Sequence, residues 1–191
     1  DMLVTGFEMS EMFDTPVMLH MTTRISHAKG IVELNDVVAG PNKKFTKDPS
    51  KYVMIPTNAR KRHVVVAERM EKLRHFAEET PFNVVENNGS KIGVITGGVS
   101  YQYTKEVAPD LDYLKLGMGF PLPMKKIEQF IKSHDRIFIV EELEPFWEEM
   151  IKAAGFLQVE GKKYFGSLGE LSPIRVAHGL KEAGVLSSVT E

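Results

Sequence analysis

The chain has 191 residues, 42% of them apolar and 26% charged, which suits a globular protein with one sizeable core, or one domain plus a piece of another. Its formal charge of −2 argues against nucleic acid or an anionic membrane as main partner, and no run nears the roughly 18 apolar residues of a membrane helix. With no cysteine, disulfides, thiolate zinc sites, iron–sulfur ligation and cysteine nucleophiles are all excluded from these residues. A reducing, cytoplasmic setting is expected.

In chain order, Met2, Leu3, Phe7, Met9 and Phe13 follow a helical stripe, and "TPVMLHM" then reads as a strand. A helix starting this early without a capping segment is expected to continue structure lying upstream. The stretch "NDVVAGPNKKFTKDPSKYVMIPTN" has no sustained period and reads as a connector. From 58 to 79 the pattern is helical: Val66, Met70, Leu73 and Ala77 recur at spacings of four, three and four, and Glu68 faces Lys72 on the outer side.

Beyond Pro81, "FNVVE" and "KIGVIT" read as two strands of a hairpin turned at Asn88-Gly89, where positive backbone angles suit the turn. A helix at about 99–107, a strand at "YLKLGM", a helix at 124–133, a strand at "RIFIVEE" and a helix at 145–154 follow. That alternation predicts a layered α/β sheet with right-handed crossovers. "KKYFG" reads as a short edge strand, and "SPIRVAHGLKEAG" as a helix with Ser172 as cap and Pro173 in the first position.

Ligands of open α/β sheets bind outside the carboxyl ends of the strands, so the turns there are the candidate sites. Thr96-Gly97-Gly98 could bring backbone close to a phosphate, but neither the Lys-Ser/Thr of a phosphate loop nor a third spaced glycine follows. The expectation is a tight strand-to-helix turn. In "EELEPFWEEM", Glu141 could act as a base, yet carboxylates flanking a helix start also complement its positive end, and that structural use is expected.

Arg60, Lys61, Arg62 and His63 occupy the apparent first turn of a helix, where the macrodipole disfavours cations. Arg60, Lys61 and Arg62 are therefore candidates for an anion site, and something acidic is expected nearby. Arg24, Ser26 and His27 lie in the loop after the "PVMLHM" strand and are the catalytic candidates. The six histidines show no metal-ligand spacing, so no metal site is expected.

Taken together, "FDTPVMLHMTTRISHAKGIVEL", "YVMIPTNARKRH", "KIGVITGGVSYQYTKE", "LKLGMGFPLP" and "IFIVEELEPFWEE" resemble the alpha subunit of indolepyruvate ferredoxin oxidoreductase, within the 2-oxoacid ferredoxin oxidoreductase family. The resemblance implies a complete enzyme that uses thiamine diphosphate with magnesium and iron–sulfur clusters. It would decarboxylate an aryl pyruvate oxidatively, form an acyl-CoA and CO2, and pass electrons to ferredoxin; the cofactor carries the hard chemistry. It also implies a small beta subunit and the remaining domains of the alpha subunit as partners.

By the same resemblance the fold is α/β: a three-layer α/β/α sandwich like the transketolase C-terminal domain, preceded by the end of a pyrimidine-binding-type domain. Residues 1–34 correspond to that end, 35–57 to a linker, and 58–191 to a linking helix plus the transketolase C-terminal-like domain. The chain lacks a Gly-Asp-Gly diphosphate motif. It thus resembles an internal segment, expected to be inactive alone and to bind no cofactor by itself. Two alternatives stand beside this reading: a self-contained nucleotide-binding or regulatory α/β module, and a member of the same superfamily acting on another 2-oxoacid such as pyruvate.

Overall fold

The computed structural model describes residues 2–34, 36–37, 40 and 44–189, and the chain divides into two compact units, Asp1–Lys72 and Leu73–Glu191. The first unit is helical. Helix α1 spans Met2–Phe13 and α2 is the single turn Thr23–His27. Helix α3 is Pro49–Tyr52, started by Pro49 and by Asp48, whose carboxylate accepts from the Lys51 amide. Helix α4 runs Pro56–Glu79, and its last residues belong to the second unit.

Helix α1 stops at Asp14, which takes the left-handed conformation (φ 50°) while the Thr15 amide bonds back to the Ser10 carbonyl. The expected strand at 16–21 does not form: these residues have no regular structure. A strand needs a ladder partner for its backbone groups, and every named strand of the described residues lies beyond residue 80. Within Asp1–Lys72, Met9 is the one buried hydrophobic among the described residues.

The second unit is built on a four-stranded sheet of β1 (Asn83–Glu86), β2 (Ile92–Thr96), β3 (Asp112–Leu116) and β4 (Arg136–Val140), in the order β1-β3-β2-β4. Strands β3, β2 and β4 are parallel, with Val94 opposite both Tyr113 and Phe138; β1 is antiparallel to β3. The three parallel strands are apolar on both faces because both are covered. On one face Ile95, Leu114, Leu116, Ile137 and Ile139 pack with helices α6 (Met124–Lys132) and α7 (Phe146–Ala153). On the other, Val94, Tyr113, Phe138 and Val140 meet α5 (Gly98–Val107), the short α8 (Lys162–Phe165) and α9 (Pro173–Glu182). The expected three-layer α/β/α sandwich is what the second unit builds. Each fully buried Ile or Leu in it contributes roughly 1.5–3 kcal/mol.

Two local expectations fail, each for a visible reason. β1 and β2 are not a hairpin: β3 lies between them. The connecting loop crosses the start of β3, where the Asp112 carboxylate accepts from the Asn88 and Ser90 amides (2.7 and 3.0 Å) and the Asn88 side chain donates to the Leu111 carbonyl at 2.6 Å. Gly89 still supplies the positive φ (84°) of the turn. The "KKYFG" stretch is α8 rather than an edge strand; the contact with the β4 edge is made upstream, where Glu160 exchanges backbone hydrogen bonds with Ile137 and Ile139.

Candidate functional site

The carboxyl ends of the parallel strands converge on Trp147. Its indole Nε1–H donates to the Gly119 carbonyl at 3.0 Å. The ring covers Gly97, where a Cβ would stand 2.7 Å from the indole and 2.3 Å from the Leu116 carbonyl oxygen. Thr96 just before it is fully buried and donates its hydroxyl to the Val140 carbonyl at 2.7 Å. Gly97 is therefore a packing glycine, and Gly98 (φ 55°) turns the chain into α5. The tight strand-to-helix turn expected from the sequence is what this pair makes.

Around that turn lies a buried charged knot. Both oxygens of Glu141 cap α7, one accepting from the Trp147 amide at 2.9 Å and the other from the Glu148 amide at 3.0 Å. Lys162 donates from its ammonium group to the Glu141 carbonyl, and its amide donates to Glu148 at 2.7 Å; Lys152 reaches the other Glu148 oxygen at 2.6 Å. Burial pushes the Glu141 carboxyl above the usual range, against the pull of the two amides and Lys162. Burial likewise lowers the Lys162 ammonium, against the opposing pull of Glu141 and Glu148. A carboxylate with both oxygens committed to helix amides is a cap, not a base. Glu142 is used similarly, accepting from the Leu171 amide at 3.0 Å.

Beside this knot, Phe120, Leu143 and Phe146 are exposed at the same end of the sheet, the two rings 6.3 Å apart and Leu143 in the left-handed region (φ 59°). A shallow groove of about 310 Å³ lies between α8 and α9, lined by Lys162, Lys163, Arg175 and His178 among others.

The catalytic and anion-site candidates from the sequence fall in the first unit. Arg24, Ser26 and His27 share the one-turn helix α2, all three exposed. Thr22 caps that turn, accepting from the Ile25 amide, and the Ser26 hydroxyl donates to the Thr22 carbonyl at 3.1 Å. Arg60, Lys61 and Arg62 lie one turn into α4, because the helix begins at Pro56 rather than at 58. Arg60 and Lys61 are exposed.

Arg62 reaches the acid that the charge pattern demanded. It donates to Asp14 at 3.3 Å; Arg69, seven residues further along the same helix face, donates to the same oxygen at 3.2 Å, and Lys51 to the other oxygen. These bonds, that from Lys51 foremost, hold the Asp14 carboxyl below its usual range. Sequence reasoning missed Asp14, Lys51 and Arg69. The heptad spacing of Arg62 and Arg69 was the available signal; nothing local marked Asp14.

No family model matches the chain. Among curated proteins, it is 36% identical over 197 residues to indolepyruvate oxidoreductase subunit IorA of Thermococcus kodakarensis, covering 94% of this chain. IorA of Archaeoglobus fulgidus is 35% identical over 188 residues, covering 93%. Over this shared length, the chain is similar to a segment of the IorA subunit.

The chain spans about 30% of the length of those IorA relatives. A solved structure, 2-oxoglutarate:ferredoxin oxidoreductase from Magnetococcus marinus with 2-oxoglutarate, coenzyme A and succinyl-CoA bound, matches with a TM-score of 0.52. That match covers 68% of this chain and 24% of the other at 14% identity, a likeness of fold. The chain thus has the α/β fold that its motifs implied.

Proposed function

We propose that these residues are the structural middle of an indolepyruvate oxidoreductase large subunit. The complete enzyme, in the cytoplasm with a small beta subunit as partner, oxidatively decarboxylates aryl pyruvates to acyl-CoA and CO2, uses thiamine diphosphate, and passes electrons through iron–sulfur clusters to ferredoxin. The observation that carries this reading is the 36% identity to IorA extending over 94% of the chain. Residues 1–34 close a pyrimidine-binding-type domain, 35–57 link, and 58–191 form the linking helix and transketolase C-terminal-like domain.

The residues present do not fit an iron–sulfur cluster. A chain without cysteine cannot supply thiolates to an iron–sulfur cluster. Among the described residues no three His, Cys, Asp or Glu side chains gather where they could hold a metal ion. In this reading thiamine diphosphate, magnesium and the clusters are held by other parts of the complete enzyme. Its role is to pack against neighbouring domains and shape the aryl or CoA pocket. The 24–27 turn and the basic face of α4 are the candidate contact points for substrate and CoA. Among the described residues no helix is long and apolar enough to cross a membrane.

The test is CoA-dependent ferredoxin reduction by the complete subunit with its small partner. Indolepyruvate should exceed pyruvate and 2-oxoglutarate in kcat/KM by at least about tenfold, since the contacts that recognise an aryl group are lost on small acids. Preference for pyruvate would place the enzyme elsewhere in the superfamily. Thermal unfolding of the isolated 191-residue chain should show no shift with thiamine diphosphate and Mg²⁺ or with ATP. A bound ligand at about 100 times its Kd adds roughly 2.7 kcal/mol, so an ATP-specific shift would mark a self-contained nucleotide module.

A further inference from the structure

In the second unit, the shallow groove between α8 and α9 gathers basic side chains, although the chain as a whole carries a net charge of −2. Lys163 stands on α8, and Arg175 and His178 stand one turn apart on α9. Among the described residues the one carboxylate in the lining is Glu182, one turn beyond His178. Lys162 also lines the groove, but its ammonium is committed to the Glu141 carbonyl.

Neutral groups hold the other two long cations in place. Arg175 Nη1 donates to the Glu170 carbonyl at 2.7 Å, which among the described residues is the guanidinium's one hydrogen bond. The connection from α8 to α9 wraps it closely: a Cβ at Gly166 would stand 3.4 Å from Nη2 and one at Gly169 3.2 Å from Nη1, and both glycines have positive φ (68 and 74°). Lys163 donates to the Tyr164 hydroxyl at 3.2 Å, its ammonium 4.9 Å from the centre of that ring. Neither partner carries a charge, so both cations keep their attraction for an anion, and the Arg175 fork keeps donors for it. Phe165, also in the lining, is buried in the second hydrophobic cluster, so the groove has a packed wall.

Size and the order of charges along α9 say which anion fits. About 310 Å³ is near the lower end of the roughly 300–1,000 Å³ of small-molecule sites, room for a compact metabolite rather than a stretch of polymer. A phosphate monoester offers three terminal oxygens to the donors of Lys163, Arg175 and His178, where a carboxylate offers two. One turn further on, Glu182 repels a second anionic group and accepts hydrogen bonds from hydroxyls. That order disfavours a polyphosphate and favours a hydroxylated body behind a single phosphate.

We infer that the α8–α9 groove is a binding site for a small sugar phosphate, its phosphate held by Lys163, Arg175 and His178 and its hydroxyls directed to Glu182. The site draws on nothing in the proposed activity, so either can fail without the other. The test is isothermal titration of ribose 5-phosphate, inorganic phosphate and ribose into the complete subunit at low ionic strength. The same titrations are made on its Lys163→Gln, Arg175→Gln and Glu182→Gln variants.

Ribose 5-phosphate should bind one to one, at least about tenfold more tightly than inorganic phosphate, and ribose should give no binding heat. Lys163→Gln and Arg175→Gln should each weaken ribose 5-phosphate by about tenfold or more, the loss of one charge-assisted hydrogen bond. Glu182→Gln should narrow the gap between ribose 5-phosphate and inorganic phosphate. Lys163 is exposed, so its variant should fold as the parent does even where Arg175→Gln disturbs the α8–α9 connection. No binding of ribose 5-phosphate, or an affinity unchanged in Lys163→Gln, overturns the inference. Equal binding of ribose 5-phosphate and inorganic phosphate overturns it in favour of a bare anion site.

Discussion

The two units share one chain but differ in how they use apolar residues. In Leu73–Glu191, apolar side chains on both faces of one sheet are closed over by helices, and two contiguous clusters result. In Asp1–Lys72, a comparable supply of Met, Val, Leu, Ile and Phe stays on the surface, and only Met9 is buried among the described residues. What organises the first unit is charge: Lys51, Arg62 and Arg69 gathered on Asp14. Apolar content alone therefore does not make a core. A core needs two layers that face each other, and a half-exposed ion cluster is a weak substitute.

The sharpest way to break this comparison is the same substitution in both units. Phe138 is fully buried in the second cluster and Phe7 is 69% exposed. Phe138→Ala should cost about 3–5 kcal/mol in urea denaturation, and Phe7→Ala less than about 0.5 kcal/mol. Equal costs would mean that the first unit has a core after all.

A smaller difference is expected from adding one methyl group. Gly97→Ala drives a Cβ to 2.3 Å from the Leu116 carbonyl oxygen, whereas at Gly30 nothing lies within 4 Å. The first should destabilise by about 1–3 kcal/mol and the second by no more than about 0.5 kcal/mol. A neutral Gly97→Ala would show that both the Leu116 backbone and Trp147 can move aside.

Alkaline unfolding sharpens the comparison further, because it reads the second unit. Burial, and then the Glu86 carboxylate that accepts its proton at 2.6 Å, push the Tyr101 hydroxyl up to about 12. A group whose folded value is raised stabilises fully below its unfolded value of about 10 and loses that contribution as pH climbs toward 12. Tyr101→Phe should therefore flatten the fall of the urea midpoint between about pH 10 and 12. An unchanged slope would remove Tyr101 from the alkaline transition.

The smallest effect belongs to Asp14. Asp14→Asn should lower helicity slightly at low ionic strength, and the difference should vanish near 1 M salt, where the Debye length is about 3 Å. Circular dichroism across a salt series reads it. A loss that persists in high salt would mean that Asp14 acts through something other than charge.

Where a segment buries both faces or carries its own cap, the sequence was legible. β2, β3 and β4 follow from their apolar runs, and α9 from Ser172, whose hydroxyl accepts from the Arg175 amide, and Pro173. Partners distant in sequence were not legible. An Asn-Gly turn between two strands suggests a hairpin, but which strand lies beside β1 was decided by Asp112, more than twenty residues away. The acid near the basic turn was expected on electrostatic grounds, and its identity as Asp14, 48 residues before Arg62, needed the fold. "KKYFG" has strand-like residues, yet the β4 edge was already engaged by Glu160.

Trp147 is the chain's single tryptophan, and it stands over the glycine turns at the carboxyl end of the sheet. Its fluorescence is thus a built-in optical reporter of the second unit, spectrally separate from anything the first unit does. Emission from one indole can follow the melting of the sandwich while far-ultraviolet dichroism follows the helices. A group arriving at Gly119, whose carbonyl the indole holds, would announce itself as a colour change without any label.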